Sequence, residues 1–242
     1  EWTRTIGNYA VDGVVIGRNG AAYAIGSGGS QYHRLVAVDS TGAELWHDST
    51  RLYEPTAPPV IDSRDRILVT DESGYLYCFN PDGTLACSVS VADPCGGATA
   101  VGRDDEVIVT DYYGRITGYD STGRQRWASD LDYFEATNTP CVAQDSTIIA
   151  YDPDGGYVYG IGIDGQTLWE FSIWDSMDYE KHPAKRDEGD GYPSAVIGPN
   201  GDLYLASGDG LLCLAGAGLR MAGTAWPTYN HDAARSGWAG RP

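Results

Sequence analysis

Leu35-Val-Ala-Val-Asp-Ser-Thr-Gly42 is followed four residues later by Trp46, and the chain repeats this arrangement along its length. The equivalent octads are Leu76-Tyr-Cys-Phe-Asn-Pro-Asp-Gly83, Ile116-Thr-Gly-Tyr-Asp-Ser-Thr-Gly123, Val158-Tyr-Gly-Ile-Gly-Ile-Asp-Gly165 and Leu211-Leu-Cys-Leu-Ala-Gly-Ala-Gly218. Their closing glycines lie 41, 40, 42 and 53 residues apart. Trp127 and Trp169 repeat the spacing of Trp46, Cys87 stands in that place after the second octad, and Trp2 fits the phase. A period near 40 built from short alternating strands is the signature of a propeller or array.

Each period divides into four short strands. In the second they are Glu44 to Ser49, Pro59 to Asp62, Arg66 to Thr70 and Tyr75 to Phe79. Gly, Asp, Asn, Pro and Ser, which tolerate or preset turn dihedrals, separate them. One such sheet buries too little by itself, so stacked repeats must supply the core. The reading is an all-β propeller of four-stranded antiparallel blades, five in number over residues 1–218. Residues 219–242 are expected to fold back on it, with Trp226 packed on an apolar patch. Trp2 to Ile6 is expected to pair into the last blade, closing the ring and removing an exposed sheet edge.

Of 242 residues, 34 are Asp or Glu and 16 are Lys or Arg, a formal net charge of −18. Nucleic acid is excluded as a partner, because its binding needs clustered basic side chains to release counterions. No apolar run approaches the roughly 18 residues that span a bilayer, so no membrane insertion is expected. The chain begins Glu1-Trp2 with neither initiator Met nor signal peptide, and reads as a mature form or an excised piece.

The strand–Asp-x-x-Gly-x-x-x-Trp repeats resemble the PQQ-like (quinoprotein-type) β-propeller family. The tail Ala225-Trp-Pro-Thr-Tyr-Asn-His-Asp-Ala-Ala-Arg-Ser-Gly237 is similar to a segment that ends such propellers. The resemblance implies that Trp46, Trp127, Trp169 and Trp2 dock across neighbouring blades, with a looser contact at Cys87. Quinone-dependent relatives resemble much longer chains with an adjacent cysteine pair, which is missing here, so no cofactor is expected. Scaffold relatives use the same repeats to bind proteins, and fold alone does not assign function.

Recognised catalytic and metal motifs are absent. His33, His47, His182 and His231 form no zinc spacing. Asp152-Pro-Asp-Gly-Gly and the Asp187 to Gly191 run resemble Ca²⁺ loops without completing one, so no metal is assigned. Propeller topology gathers on one face the loops between blades and the hairpins joining second and third strands. That face carries Tyr32, His33, Asp71, Asp111 and Asp152, together with two echoing segments, Tyr53-Glu-Pro-Thr56 and Phe134-Glu-Ala-Thr137. Aromatic planes beside carboxylates suit sugar rings or cationic groups. Tyr53, Glu54, Phe134, Glu135, Trp174 and Tyr179 are therefore the candidate ligand-binding residues.

The expected function is non-catalytic binding or scaffolding, with a glycan or protein as partner at an extracellular, periplasmic or cell-surface site. Two alternatives stay open. One is a polysaccharide lyase or hydrolase using the long 174–192 loop, with His182 and Glu180 or Asp175 as an acid–base pair. The other is a structural domain of a larger envelope protein.

Five cysteines leave an odd thiol. Cys78 and Cys213 share an octad position that is Ala37, Gly118 and Gly160 elsewhere, so both are expected to be buried thiols. Cys95 and Cys141, leading into neighbouring inner strands, are the expected bridge.

Overall fold

The computed structural model describes residues 2–7, 10–27, 32–55, 57–91, 99–111, 113–131, 139–152, 156–173, 195–207 and 210–215. The repeats fold into antiparallel sheets in chain order. The first is β1 (Ala10–Ile16), β2 (Ala22–Ser27), β3 (His33–Val38) and β4 (Glu44–Asp48). The second is β5 (Val60–Ile61), β6 (Ile67–Thr70), β7 (Tyr75–Phe79) and β8 (Leu85–Ser90). The third is β9 (Ala100–Val101), β10 (Val107–Thr110), β11 (Arg115–Tyr119) and β12 (Gln125–Asp130). The fourth is β13 (Cys141–Val142), β14 (Ile148–Asp152), β15 (Tyr157–Ile161) and β16 (Thr167–Ser172). The fifth holds β17 (Val196–Ile197), β18 (Leu203–Ser207) and β19 (Gly210–Leu214) among the described residues. The predicted strands of the second repeat agree with β4 to β7 within two residues at each end.

The inner strands β5, β9 and β13 are neighbours, and the cores lie in the seams between sheets. Blade 1 contributes Val15, Tyr23, Ile25 and Leu35 to a cluster shared with Ile61, Ile67 and Phe79 of blade 2. The inner strands are buried at both of their residues in blades 2, 3 and 4, which is why their sequences are apolar without alternation.

The octad glycines have two reasons to be glycine. Gly42, Gly83, Gly123 and Gly165 all sit at φ between 80° and 86°, a left-handed conformation that side chains resist. A Cβ on Gly42 would also meet the Trp2 ring at 2.5 Å, and one on Gly83 the Trp46 ring at 2.7 Å. The indole Nε1 donates to the Ser40 carbonyl from Trp2 (2.9 Å) and to the Pro81 carbonyl from Trp46 (2.7 Å). Ser40 and Pro81 are equivalent octad positions, so the two tryptophans make one and the same contact. Trp46 also lies between Tyr23 of its own blade and Phe79 of the next, with ring centroids 5.8 and 6.3 Å away.

The other tryptophans depart from this. Trp127 still packs near the next blade's Gly165, but its Nε1 donates to Glu106 of its own blade at 2.9 Å. A Cβ on Gly118 or Gly160 would fall 2.3 or 2.1 Å from the ring of Trp127 or Trp169, which is why these two blades have glycine there. In blade 2 the place of the tryptophan over the next turn is taken by Val89, whose Cγ2 lies 2.3 Å from where a Cβ on Gly123 would be. The contact expected to be loose at Cys87 is thus filled from two residues further on.

The expectation of buried thiols at Cys78 and Cys213 is corrected. Cys78 is bonded to Cys87, directly across the β7–β8 pair, and Cys213 is exposed. Cys141 is buried in β13, while Cys95 lies outside the described residues, as do Trp226 and the whole 219–242 tail. Trp2–Ile6 carries no strand assignment. Its pairing with β19 is not among the described pairs.

On the face carrying the octad turns, the hairpins between first and second strands are laced to one another. Arg18 donates to the Ser63 carbonyl (2.6 Å), the Ser63 hydroxyl to Asp105 (2.7 Å) and Arg103 to the Gln144 carbonyl (2.5 Å). Polar side chains therefore tie blades 1 to 4 together on one side of the ring, leaving the opposite face to the longer loops.

Candidate functional site

One described part of the loop-rich face lies where blade 1 meets blade 2. Chain leaving β4 turns at Asp48, whose carboxylate holds Arg51 in an ion pair and accepts from the Thr50 N–H at 3.0 Å. Leu52 then plunges into the core, fully buried, and Tyr53 bridges back to Tyr32 as a short antiparallel pair. The Tyr32 and Tyr53 rings meet edge to face at 6.5 Å. Tyr32 and Tyr75 are each 39% exposed, and Tyr75 stacks on the buried Tyr77 at 5.8 Å.

Asp71 holds this loop to the hairpin of blade 2. One of its oxygens accepts from the Ser73 hydroxyl (2.7 Å) and the Ser73 and Tyr75 N–H groups, and the other from the Tyr53 N–H at 3.1 Å. Asp71 is fully buried, and Asp111 does the same service for the Tyr113 and Arg115 N–H groups. These aspartates, together with the fully buried Asp152, do not belong to the solvent-facing surface. The recurrence of Asp71 and Asp111 reflects hairpin capping, since a short carboxylate reaches the N–H groups two and four residues on.

Glu54 is exposed and sits at φ 43°, a left-handed conformation that costs a non-glycine residue about 1–2 kcal/mol. The Glu72 N–H fixes it there by reaching both the Tyr53 and Glu54 carbonyls, at 3.2 and 3.4 Å. Nearby His33 is buried, and burial lowers its pKa, partly opposed by the Glu54 carboxylate. Burial first, and then the Asp71 carboxylate, raise the pKa of Tyr77, whose hydroxyl donates to the Arg51 carbonyl at 3.4 Å. The buried Tyr77 hydroxyl thus stays a neutral donor, and Glu54 is the exposed carboxyl group beside these tyrosines.

Tyr53 and Glu54 are brought together as expected. Phe134, Glu135, Trp174, Asp175, Tyr179, Glu180 and His182 lie outside the described residues. Sequence reasoning missed Tyr75, Tyr77 and Glu72. Tyrosines two apart at the start of a third strand share one face, and Tyr157 with Tyr159, stacked at 6.0 Å, repeat the signal in blade 4. Among the described residues no three His, Cys, Asp or Glu side chains gather as metal ligands, and no helix is long and apolar enough to cross a membrane.

Four-stranded antiparallel sheets joined by indole-capped glycine turns define a PQQ-like repeat β-propeller. Residues 31–214 match the family described as outer membrane protein assembly factor BamB, and the chain belongs to that family. A curated relative of that name, from Moranella endobia (strain PCIT), is 29% identical over 117 residues. The match covers 48% of this chain and 28% of that protein, under a third of its length.

Among solved structures, a streptogramin B lyase superposes with a TM-score of 0.62 at 12% identity, covering 87% of this chain and 70% of that one. Virginiamycin B lyase from Staphylococcus aureus gives 0.57 at 13%, covering 83% and 68%. The WD40 propeller domain of Doa1 gives 0.57 at 13%, covering 81% and 60%. At such identity these similarities speak for the propeller fold alone.

Proposed function

We propose that this chain is a non-catalytic binding propeller of the cell envelope that holds a protein partner on its loop-rich face. Tyr32, Tyr53, Glu54 and Tyr75 are the described residues of the proposed contact surface, and Phe134, Glu135, Trp174 and Tyr179, outside the described residues, are candidates by sequence alone. Family membership supports a role in assembling outer membrane proteins, as the relative's name states for that protein. The observation that carries the reading is Glu54, an exposed carboxylate held in an unfavourable backbone conformation beside exposed tyrosines. Such strain persists where the surrounding contacts enforce it, and it clusters at functional sites. Aromatic anchors carry most of the energy of protein interfaces, and a carboxylate at their edge orients cationic or N–H groups of the partner.

The test is binding of the purified chain to outer membrane assembly proteins, by calorimetry, in parallel with a glycan array. The proposal expects protein binding that Tyr53→Ala weakens by about thirtyfold or more. Array binding lost in Tyr53→Ala, without any protein binding, contradicts it.

A further inference from the structure

The outer strands of the blades differ in how they guard the edge of their sheet. β4 carries Glu44 and Asp48, β12 carries Arg126 and Asp130, and β16 carries Glu170. β8 carries no charge, and the uncharged run extends from Gly83 to Ala92 in a chain of net charge −18. Charged side chains on an edge strand keep other strands from adding to it. β8 ends the sheet β5-β6-β7-β8, and among the described residues it pairs with β7 alone.

This edge is both held in place and open. The Cys78–Cys87 bond staples β8 to β7, and Val89 packs on Gly123 of blade 3. The Val91 N–H donates to the Gly74 carbonyl at 2.8 Å. An antiparallel ladder alternates, so Cys87 and Val89 turn their backbone N–H and C=O groups to β7, while Ser88 and Ser90 turn theirs to the free edge. Both serines are exposed. They lie opposite Tyr77 and Tyr75, whose rings stack at 5.8 Å. Blade 4 is the natural comparison. Its stacked Tyr159 and Tyr157 lie opposite Glu170 and Ser172, so Glu170 stands where blade 2 has Ser88.

We propose that β8 takes up an extended, uncharged segment of a partner protein as a fifth strand of blade 2. Main-chain hydrogen bonds with Ser88 and Ser90 supply affinity, as where peptides add to other exposed sheet edges. Two small serines beside two tyrosines leave room for large apolar or aromatic residues at alternate positions of the added strand. A charged residue there would lose water with no opposite charge on β8 to meet it. A second copy fits less well. Paired β8 strands would set serine beside serine, leave the flank of the tyrosines unfilled and bring together two chains of net charge −18. The contact is separate from the loop-rich face and does not rest on that face binding a protein.

The test uses the full chain and an uncharged probe peptide, acetyl-Thr-Tyr-Thr-Val-Thr-Tyr-Thr-amide. Calorimetry should show saturable binding. Hydrogen exchange followed by NMR should slow at the Ser88 and Ser90 N–H groups by at least about tenfold, with Cys87 and Val89 unchanged. Ser88→Glu, which copies Glu170 of blade 4, should weaken peptide binding by at least about tenfold, while Tyr53→Ala leaves it unaltered. No binding, equal affinity in Ser88→Glu, or protection elsewhere than at Ser88 and Ser90 overturns the proposal. Self-association of the free chain through the same amides overturns it as well, because it assigns the edge to a second copy. The exchange readout needs only wild-type protein, so it decides the matter whatever Ser88→Glu does to folding. Loss of protein binding at the loop-rich face with peptide protection intact would count against that face alone.

Discussion

Cys87 lies directly opposite Cys78, at the pair of positions where three other blades set a tryptophan across from alanine or glycine. The two kinds of pair solve one problem, holding the outer strand to the third, in exclusive ways. A cross-link needs a Cβ and sulfur where the indole needs room. Cys87→Trp alone should therefore destabilise the protein by about 1–3 kcal/mol through overpacking against Cys78. Adding Cys78→Ala should recover most of that, since Ala37 faces Trp46 without conflict. Urea denaturation of both variants under reducing conditions measures the difference.

Gly160→Ala places a methyl group within 2.1 Å of the Trp169 ring in the present geometry. Strand and indole must shift, and a loss of about 1–3 kcal/mol is expected, or several degrees in Tm. Gly20→Ala is the comparison, because no atom lies within 4 Å of its Cβ position and only the left-handed φ of 77° opposes it. A smaller loss there separates crowding from backbone strain.

Glu106 makes stability depend on pH with an unusual sign. Burial raises its pKa, against the hydrogen bond from Trp127 and the charge of Arg126, which lower it. The folded state therefore holds this proton more tightly than the unfolded state. Its contribution is greatest below the ordinary carboxylate pKa and is lost as pH rises through the folded value. Glu106→Gln keeps an acceptor for the Trp127 Nε1 and cannot ionise. Between about pH 4.5 and pH 7.5 the variant should gain stability relative to wild type, a difference that urea titrations at several pH values resolve.

Glu54→Gly should raise stability by up to about 1 kcal/mol, less the entropy glycine adds to the unfolded chain, because it relieves the left-handed φ of 43°. Partner binding should fall in the same variant. Thermal melts beside calorimetric titration with the partner protein show whether the two properties move in opposite directions.

Much of this fold was legible in the octads. Glycine at a fixed phase marks a left-handed turn, and alternation marks strands, so β7 was placed to the residue. Register across the third and fourth strands was harder to read, because an irregularity between Cys78 and Phe79 shifts the pairing. The small-to-Trp correspondence at Ala37, Gly118 and Gly160 contained the signal for Cys78–Cys87, since the second repeat alone has cysteine at both members. At the candidate site, Tyr53 and Glu54 were visible through their echo at Phe134 and Glu135. Asp71 was misread as surface because a capping aspartate and a ligand-facing one have the same sequence signature, and only burial tells them apart.

The most direct test of a partner-binding loop face is site-specific photo-cross-linking with benzoylphenylalanine at three positions. Tyr32 and Glu54 report the proposed surface, and Asp82, exposed in an octad turn, reports the opposite face. With outer membrane assembly proteins present, the account predicts a cross-linked partner from positions 32 and 54 and none from 82. Cross-linking from position 82 alone would place the partner on the face of the laced hairpins and contradict it.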